Sequence, residues 1–273
     1  MNESLVIFVV FIAFGLIEAY RGKLFHKQSE VADDIKVETV STLTLFAFTQ
    51  PLILFVVHEL LAHFAPHLNG AFIDLAVGWQ ILYFLILDDM TQYWWHRASH
   101  TFRPLYNLHR AHHNGKYMSV RIVYRNNIFY YLMMPSIWLS GVLVYLGFST
   151  VYAGYLIIKL TVIIGAHAEW KWDRFLYRYH WLSPVAWIVE RTISTPSTHS
   201  AHHGLHVEDG ITHYKGNFGN LLFFWDVLFG TAKISRQYPT AYGVQGMRKA
   251  NWKEQLLWPI YKTPRDASPR RQD

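Results

Sequence analysis

Residues 96–113 read HRASHTFRPLYNLHRAHH, and five of these 18 positions are histidines. They form an H-x-x-x-H motif followed by an H-x-x-H-H motif. A second H-x-x-H-H lies downstream, with one isolated histidine between the two copies. Since residues three and four apart share one face of a helix, each motif is predicted to direct its imidazoles to one point. The nine histidines of this pattern are His96, His100, His109, His112, His113, His167, His199, His202 and His203.

Metal binding is the chemistry that this pattern favours. Imidazole is the commonest protein metal ligand, and it suits iron, zinc, copper and nickel. A tetrahedral zinc ion takes about four ligands, so nine convergent histidines exceed what one such ion needs. A single H-x-x-x-H often arises by chance, whereas a repeated H-x-x-H-H beside it does not. The sequence therefore predicts two metal ions that share an all-histidine cage.

The composition predicts an integral membrane protein. The chain is 52% hydrophobic and 16% charged, against about 25% charged residues in a typical globular domain. Lysine and arginine are missing from residues 1–20, 37–96 and 126–158, where apolar segments approach the roughly 20 residues that cross a bilayer. The predicted spans are 5–20, 37–57, 71–95, 128–146 and 150–166. Because the last two are joined only by residues 147–149, they are either two spans or a hairpin that does not cross fully.

The predicted fold is therefore all-α, with four to five transmembrane helices and a helical cap over residues 168–260 that holds the last histidine motif. Basic residues follow the first, third and fifth spans, and none follows the second or fourth. The positive-inside rule then predicts that every histidine motif lies on the cytoplasmic side. We expect one domain over residues 1–261 and a disordered tail over 262–273. The expected location is a bacterial inner membrane, or the endoplasmic reticulum in a eukaryote.

Charge and cysteine content exclude other classes. The net charge of +6 comes from basic residues scattered along the predicted membrane borders, which favours contact with anionic lipid over nucleic-acid binding. The chain has no cysteine, so it has no thiolate nucleophile, disulfide or cysteine-ligated iron–sulfur cluster.

Four segments in order resemble a known family: HRASH (96–100), LHRAHH (108–113), IIGAHAEW (163–170) and STPSTHSAHH (194–203). They are similar to the fatty acid hydroxylase/sterol desaturase superfamily of integral-membrane di-iron oxidases. Asp89 with YWWHR (93–97), and KGNFG (215–219) with WDVLFGT (225–231), extend the likeness to about residues 83–232. The nearest branches are the alkylglycerol-monooxygenase-like and bacterial sterol-desaturase-like ones.

Two features depart from the family pattern. Thr198 stands where many members have a histidine. The stretch after His167 is longer than in close relatives and contains His180, which is either a tenth ligand or an ordinary capping residue.

The resemblance implies two iron ions held by the nine histidines, O2 as co-substrate and a lipid C–H bond as target. Metal-bound histidines donate their second ring N–H to a carboxylate or carbonyl, so Asp89 and Glu169 are candidates to orient them, and Asn217 to orient the last motif. The chain has no G-x-G-x-x-G motif and no recognisable haem-binding segment. A separate ferredoxin, cytochrome or reductase is therefore expected to supply electrons on the cytoplasmic face.

Several alternatives stay open at this point. Hydroxylation and desaturation, including sterol C4-methyl oxidation, use the same scaffold. A zinc-loaded hydrolase would need neither O2 nor a reductant. A non-enzymatic metal transporter or store predicts ligands along a transmembrane path, whereas these histidines gather on one side.

Overall fold

The computed structural model describes residues 3–21, 24, 31–247 and 250–263, and within them every regular segment is helical. The α-helices are α1 (Glu3–Tyr20), α2 (Val31–Thr44), α3 (Gln50–Phe64), α4 (Val77–Phe84), α5 (Thr91–Thr101), α6 (Arg103–His113), α7 (Ile128–Leu132), α8 (Pro135–Leu143), α9 (Ser149–His167), α10 (Arg174–Arg178), α11 (Ser183–Thr192), α12 (Pro196–His202), α13 (Phe224–Leu228) and α14 (Trp252–Leu257). The all-α prediction is confirmed for these residues.

Two composite helices are long and apolar enough to cross a membrane. A π-helical turn at Leu45–Thr49 joins α2 to α3, so that Ala32–Phe64 runs for 33 residues. A second π turn at Val144–Phe148 joins α8 to α9 in Pro135–His167, also 33 residues, and this segment is kinked at Gly147, which is not helical. Both exceed the roughly 20 residues that span a bilayer. The prediction of four to five spans remains a prediction beyond these two.

The predicted span 128–146 is wrong as one continuous helix. It divides into α7 and α8, and Met134 between them has extended backbone angles (φ −71°, ψ 111°). Pro135 follows at the first turn of α8, and proline disfavours a helical residue directly before it. The predicted span 71–95 also begins too early, because α4 starts at Val77.

The break predicted at residues 147–149 is confirmed. Gly147 has φ 112° and ψ 8°, a conformation that favours glycine because it has no Cβ. The carbonyls of Tyr145 and Leu146 instead accept hydrogen bonds from the backbone N–H groups of Gly70 (3.0 Å) and Phe72 (2.9 Å). An added Cβ on Gly147 would lie 2.9 Å from the Ile73 nitrogen, so this close approach also requires glycine.

Short caps and turns set the histidine-bearing helices. Phe102 is extended (φ −102°, ψ 120°) and separates α5 from α6, and Pro104 fits the first turn of α6 because an N–H there has no helical partner. Thr195 and Thr198 form a reciprocal capping box at the start of α12. Thr198 is thus a capping residue of α12.

Residues 168–247 and 250–260 contain five short α-helices, α10–α14, with long irregular segments between them. The predicted helical cap is therefore largely loop, and residues 203–223 contain no α-helix. Of the predicted disordered tail, 264–273 lie outside the described residues, whereas the Thr263 N–H bonds to Glu254 at 2.8 Å. The assignment of 1–261 to one domain stays a prediction.

Candidate metal centre

The nine predicted histidines converge, and they do so in two groups. In each group one ligand atom per residue can be chosen so that these atoms lie within 4.8 Å of one another. All of these side chains are buried except that of His100, which is half-buried. The first group is His96, His100, His109, His113 and His202, and the second group is His112, His167, His199 and His203.

The two groups share the H-x-x-H-H motifs, so the prediction that each motif points to one place is wrong. His109 and His113 belong to the first group, but His112 belongs to the second. A helix turns about 100° per residue. Residues i+3 and i+4 therefore diverge by about 100° around the axis, which is enough to reach two neighbouring sites.

The last motif is divided in the opposite sense. His199 and His203 join the second group and His202 joins the first. The two groups touch, since the His113 and His203 rings stack with centroids 4.3 Å apart and planes 18° apart. Each H-x-x-H-H motif thus connects both sites.

Carbonyl oxygens orient five of the nine rings. Because a carbonyl only accepts hydrogen bonds, the Nδ1 atom facing it must carry the proton, and a neutral ring then has its lone pair on Nε2. The pairs are His96 Nδ1 with Phe218 O (2.7 Å), His109 Nδ1 with Asn126 Oδ1 (2.9 Å), His112 Nδ1 with Ile122 O (3.0 Å), His167 Nδ1 with Ile163 O (2.8 Å) and His202 Nδ1 with Gly216 O (2.8 Å).

The Nε2 atoms of these rings face one another at short range. His96 Nε2 and His202 Nε2 are 3.1 Å apart, and His112 Nε2 and His167 Nε2 are 3.3 Å apart. Neither member of either pair has an Nε2 proton to donate when the rings are neutral. Two ligands about 2.0–2.1 Å from a shared metal ion are separated by roughly 3 Å, so a cation between them matches this spacing.

Burial makes protonation a poor alternative to a metal. It lowers the pKa of the His112 and His202 imidazoles well below their ordinary value, because a charged ring loses its hydration inside the protein. Buried His199 Nδ1 and His100 Nε2 also have no hydrogen-bond partner among the described residues. The donor set therefore fits two metal ions that prefer nitrogen ligands.

A loop after α12 supplies two of the three acceptors of the first group. Gly216 and Phe218 present the carbonyls that hold His202 and His96, and Asn217 lies between them with a left-handed backbone (φ 57°). The Asn217 side chain donates to Thr198 O (2.8 Å) and Lys233 O (2.9 Å). Asn217 thereby ties the loop to the helix that carries His202.

Two buried aspartates hold the same loop. Asp226 accepts from the N–H groups of Phe218 (2.8 Å) and Gly219 (2.6 Å). Asp89 accepts from Leu222 N (3.1 Å) and Trp225 Nε1 (2.8 Å). Asp89 was a candidate to contact a histidine directly. In the structure it instead bonds to the segment that follows Phe218, whose carbonyl orients His96.

A cavity of ≈ 110 Å³ adjoins both groups. Its walls include His96 and His109 of the first group and His112 and His167 of the second. Residues of the two membrane-spanning candidates form much of the remainder, from Leu45 in the first to Ile163 in the second. A ligand in this cavity would contact histidines of both groups.

Comparison with known proteins identifies the family. The sequence profile of the fatty acid hydroxylase family matches residues 81–231, a stretch that includes all nine histidines. The chain belongs to this family. Residues 81–231 are therefore a domain of an oxidoreductase family.

The chain is also similar to alkylglycerol monooxygenase of Danio rerio. The two are 28% identical over 159 residues, which are 58% of this chain and 31% of the relative. The chain thus aligns with about a third of that protein. No solved structure matches the chain significantly.

The remaining predicted residues lie elsewhere. His180 is exposed and belongs to neither group, so the structure does not bring it to the metal ligands. The Glu169 carboxylate lies 3.9 Å from Arg21, and its backbone N–H donates to Glu18 at 2.8 Å.

Sequence reasoning missed Glu18, which supports the second group. Glu18 is fully buried and also accepts from the Ser119 hydroxyl (2.6 Å) and Val120 N–H (3.1 Å). These residues begin the turn that presents Ile122 O to His112. An acid in an apolar segment is costly and commonly functional, so the carboxylate within predicted span 5–20 was an available signal.

Proposed function

We propose that this protein is a membrane-bound di-iron oxidase that hydroxylates a C–H bond of a lipid with O2. The observation that carries the proposal is the pairing of unprotonated Nε2 atoms in both histidine groups, beside a cavity that touches both. The family match and the relative's name, alkylglycerol monooxygenase, support a lipid oxidation.

The nine histidines are the proposed metal ligands, five for one iron and four for the other. When bound, the two irons supply the redox chemistry that activates O2. The chain's own residues keep the Nε2 lone pairs of five rings available by accepting hydrogen bonds from their Nδ1–H groups. Asp89, Asn217 and Asp226 position the loop that does this for His96 and His202. The apolar residues of the cavity wall, among them Leu45 and Ile163, limit water and align the carbon to be oxidised.

The overall reaction has a defined balance. A C–H bond, O2, two electrons and two protons give an alcohol and one water molecule. The electrons come from a separate carrier, for which a ferredoxin, a cytochrome or a reductase is the expected class.

A groove of ≈ 700 Å³ on another face is suited to that carrier. It is lined by Ala168 and Ser200, which directly follow His167 and His199. The basic residues of the groove are Lys116, Lys171, Arg174 and Arg236, of which Arg236 is paired with Glu190. They outnumber the acidic residue of its lining, Glu169. Positive charge at this position favours an acidic partner, with an association rate that falls as salt rises.

We further propose a multi-pass membrane location with the metal centre on the cytoplasmic side, in a bacterial inner membrane or, in a eukaryote, the endoplasmic reticulum. The two 33-residue helices support a membrane location. The distribution of basic residues supports the orientation.

Elemental analysis of detergent-purified protein tests the metal proposal. Wild type is expected to hold about two irons per chain after iron supplementation, and His112→Ala and His202→Ala to lose metal. His180→Ala is the matched control, because His180 is exposed and outside both groups. Wild type without stoichiometric metal would overturn the proposal, and two zinc ions without iron-dependent oxidation would restrict it to a metal cage.

Lipid mass spectrometry tests the reaction. With ¹⁸O2, a reductant and total membrane lipid, hydroxylation incorporates one ¹⁸O atom into the product. Loss of two hydrogens without ¹⁸O would instead identify a desaturase on the same scaffold. Product formation without O2 would contradict an oxidase.

A further inference from the structure

Three polar groups in the wall of the cavity have no hydrogen-bond partner among the described residues. They are Gln92 Oε1 and the hydroxyls of Tyr124 and Ser136. Tyr124 is only 6% exposed and Ser136 only 1%. Buried polar groups are normally paired, because losing water without a replacement partner is unfavourable. Three unpaired groups around one cavity therefore point to a ligand that pairs with them.

Four other polar side chains of the wall pair with one another. Gln50 Nε2 bonds to the Tyr152 hydroxyl at 3.2 Å, and Lys159 Nζ bonds to Asp88 Oδ2 at 2.5 Å. Asp88 and Lys159 are also the only acidic or basic side chains, apart from histidines, among the wall residues. Since they neutralise each other, the wall presents no unpaired Lys or Arg to a carboxylate or phosphate. Away from the histidines the described wall residues thus carry no net charge, which favours a neutral ligand group there.

The kind of unpaired atom narrows the ligand further. Gln92 Oε1 can only accept a hydrogen bond, whereas the Tyr124 and Ser136 hydroxyls can donate one. A ligand hydroxyl satisfies both demands, because it donates to Gln92 and accepts from a protein hydroxyl. An ether or ester oxygen has no proton for Gln92.

We propose that Gln92, Tyr124 and Ser136 form a binding subsite for a neutral hydroxyl group of the lipid substrate. The inference rests on the oxidase function proposed above and specifies its substrate class as a hydroxyl-bearing neutral lipid. Gln92 is four residues before His96, so both lie on the same face of α5, about 6 Å apart along the axis. The oxidised carbon is accordingly within a few bonds of the hydroxyl, and not at the far end of a long chain.

Retention of lipid by the purified, metal-loaded protein tests the subsite without turnover. Delipidated protein in detergent is equilibrated with an equimolar mixture of octadecan-1-ol, monoolein and cholesterol, each accompanied by its O-methylated counterpart. Protein is then separated from free lipid, and the bound lipids are quantified by mass spectrometry. We expect at least one hydroxylated member to be retained about tenfold over its O-methylated counterpart, the effect of one good hydrogen bond.

Variants of the subsite separate it from the rest of the cavity. Gln92→Leu and the double variant Tyr124→Phe with Ser136→Ala should reduce that ratio towards one while metal content stays at the wild-type level. Ile137→Leu, a wall residue without a polar atom, is the matched control and should keep the ratio. Equal retention of each lipid pair by wild type, or a preference that survives in both variants, overturns the subsite.

The metal analysis keeps this result distinct from the proposed function. If a variant loses the hydroxyl preference while it still binds two irons, the result concerns the subsite alone. The same holds if the wild type oxidises lipid but shows no hydroxyl preference. Absence of metal in wild type bears on the oxidase proposal, whatever lipid is retained.

Discussion

The two histidine groups have the same ligand chemistry, but different parts of the chain orient their rings. In the first group, His96 and His202 depend on the carbonyls of Phe218 and Gly216, in a loop that closes over the site. In the second group, His167 bonds to Ile163 O within its own helix, and His112 bonds to Ile122 O ten residues ahead. Ring orientation in the first site therefore depends on a loop that is distant in sequence from His96. Ring orientation in the second site depends on local turns and on α1.

This difference predicts that the two metals can be lost separately. Ring orientation matters because a histidine binds a metal only with its lone pair aimed at it, and the partner of the second nitrogen fixes that direction. Disturbing the loop should affect the first site, and disturbing α1 should affect the second.

Asp226→Ala should have the largest effect. Asp226 is fully buried and holds the N–H groups of Phe218 and Gly219 and the hydroxyl of Thr231. Its loss frees the loop, so affinity for one metal is expected to fall about 100-fold, the upper end for residues that support ligands. Metal titration by calorimetry should resolve one weakened and one unchanged site.

Asp209→Ala is the matched control for that variant. Asp209 also accepts from two backbone N–H groups, those of Ile211 and Thr212, but in a more exposed turn. Both metals should bind it as in wild type. Equal weakening of both sites in Asp226→Ala would mean that the groups are one cooperative unit.

Glu18→Ala is the reciprocal experiment and should have an intermediate effect. Glu18 links Ser119 and Val120, which precede Ile122, to Glu169, which follows His167 by two residues. It thus supports both sides of the second group, and we expect about a 30-fold loss of affinity at that site alone. The exposed Glu59 on α3 provides a matched control, Glu59→Ala, with both affinities unchanged.

The nine histidines show what the sequence can and cannot predict about the site. All nine histidines were identifiable because their side chains and spacing carry the pattern. Their division into two groups was missed because the motif was interpreted as one helix face, although residues i+3 and i+4 diverge enough to serve two sites.

The orienting groups were harder to predict for a physical reason. Four of the five Nδ1 acceptors are backbone carbonyls, which every residue has and no residue type marks. Asp89 and Asn217 were recognised as important, yet they act on the loop and do not touch the rings. Glu169 was chosen for its carboxylate, whereas its backbone N–H is what connects it to the site through Glu18.

The fold shows the same limit at its interruptions. The break at Gly147 was predictable from a short glycine-containing connection between apolar segments. The break before Pro135 was equally predictable from the proline itself, but the continuous hydrophobicity of residues 128–146 favoured a single span. Neither glycine, proline nor hydrophobicity predicts the extent of the irregular loops over 203–223, because the long-range hydrogen bonds of Asp226 and Asn217 stabilise them.

Asn126→Ala should have the smallest effect and refines the comparison within the first group. Asn126 Oδ1 is the one side-chain acceptor among the five, and it holds His109 Nδ1 at 2.9 Å. Removing it leaves four other histidines in that group and the loop intact, so affinity at the first site should fall about tenfold, the lower end for such partners. Tyr131→Phe is the control, since it removes only the hydrogen bond from Asn126 Nδ2 to the Tyr131 hydroxyl. If Tyr131→Phe lowers the metal affinity of the first site as much as Asn126→Ala does, the amide acts by packing rather than by fixing the His109 proton. Orientation by Nδ1 acceptors would then no longer explain the difference between the two groups.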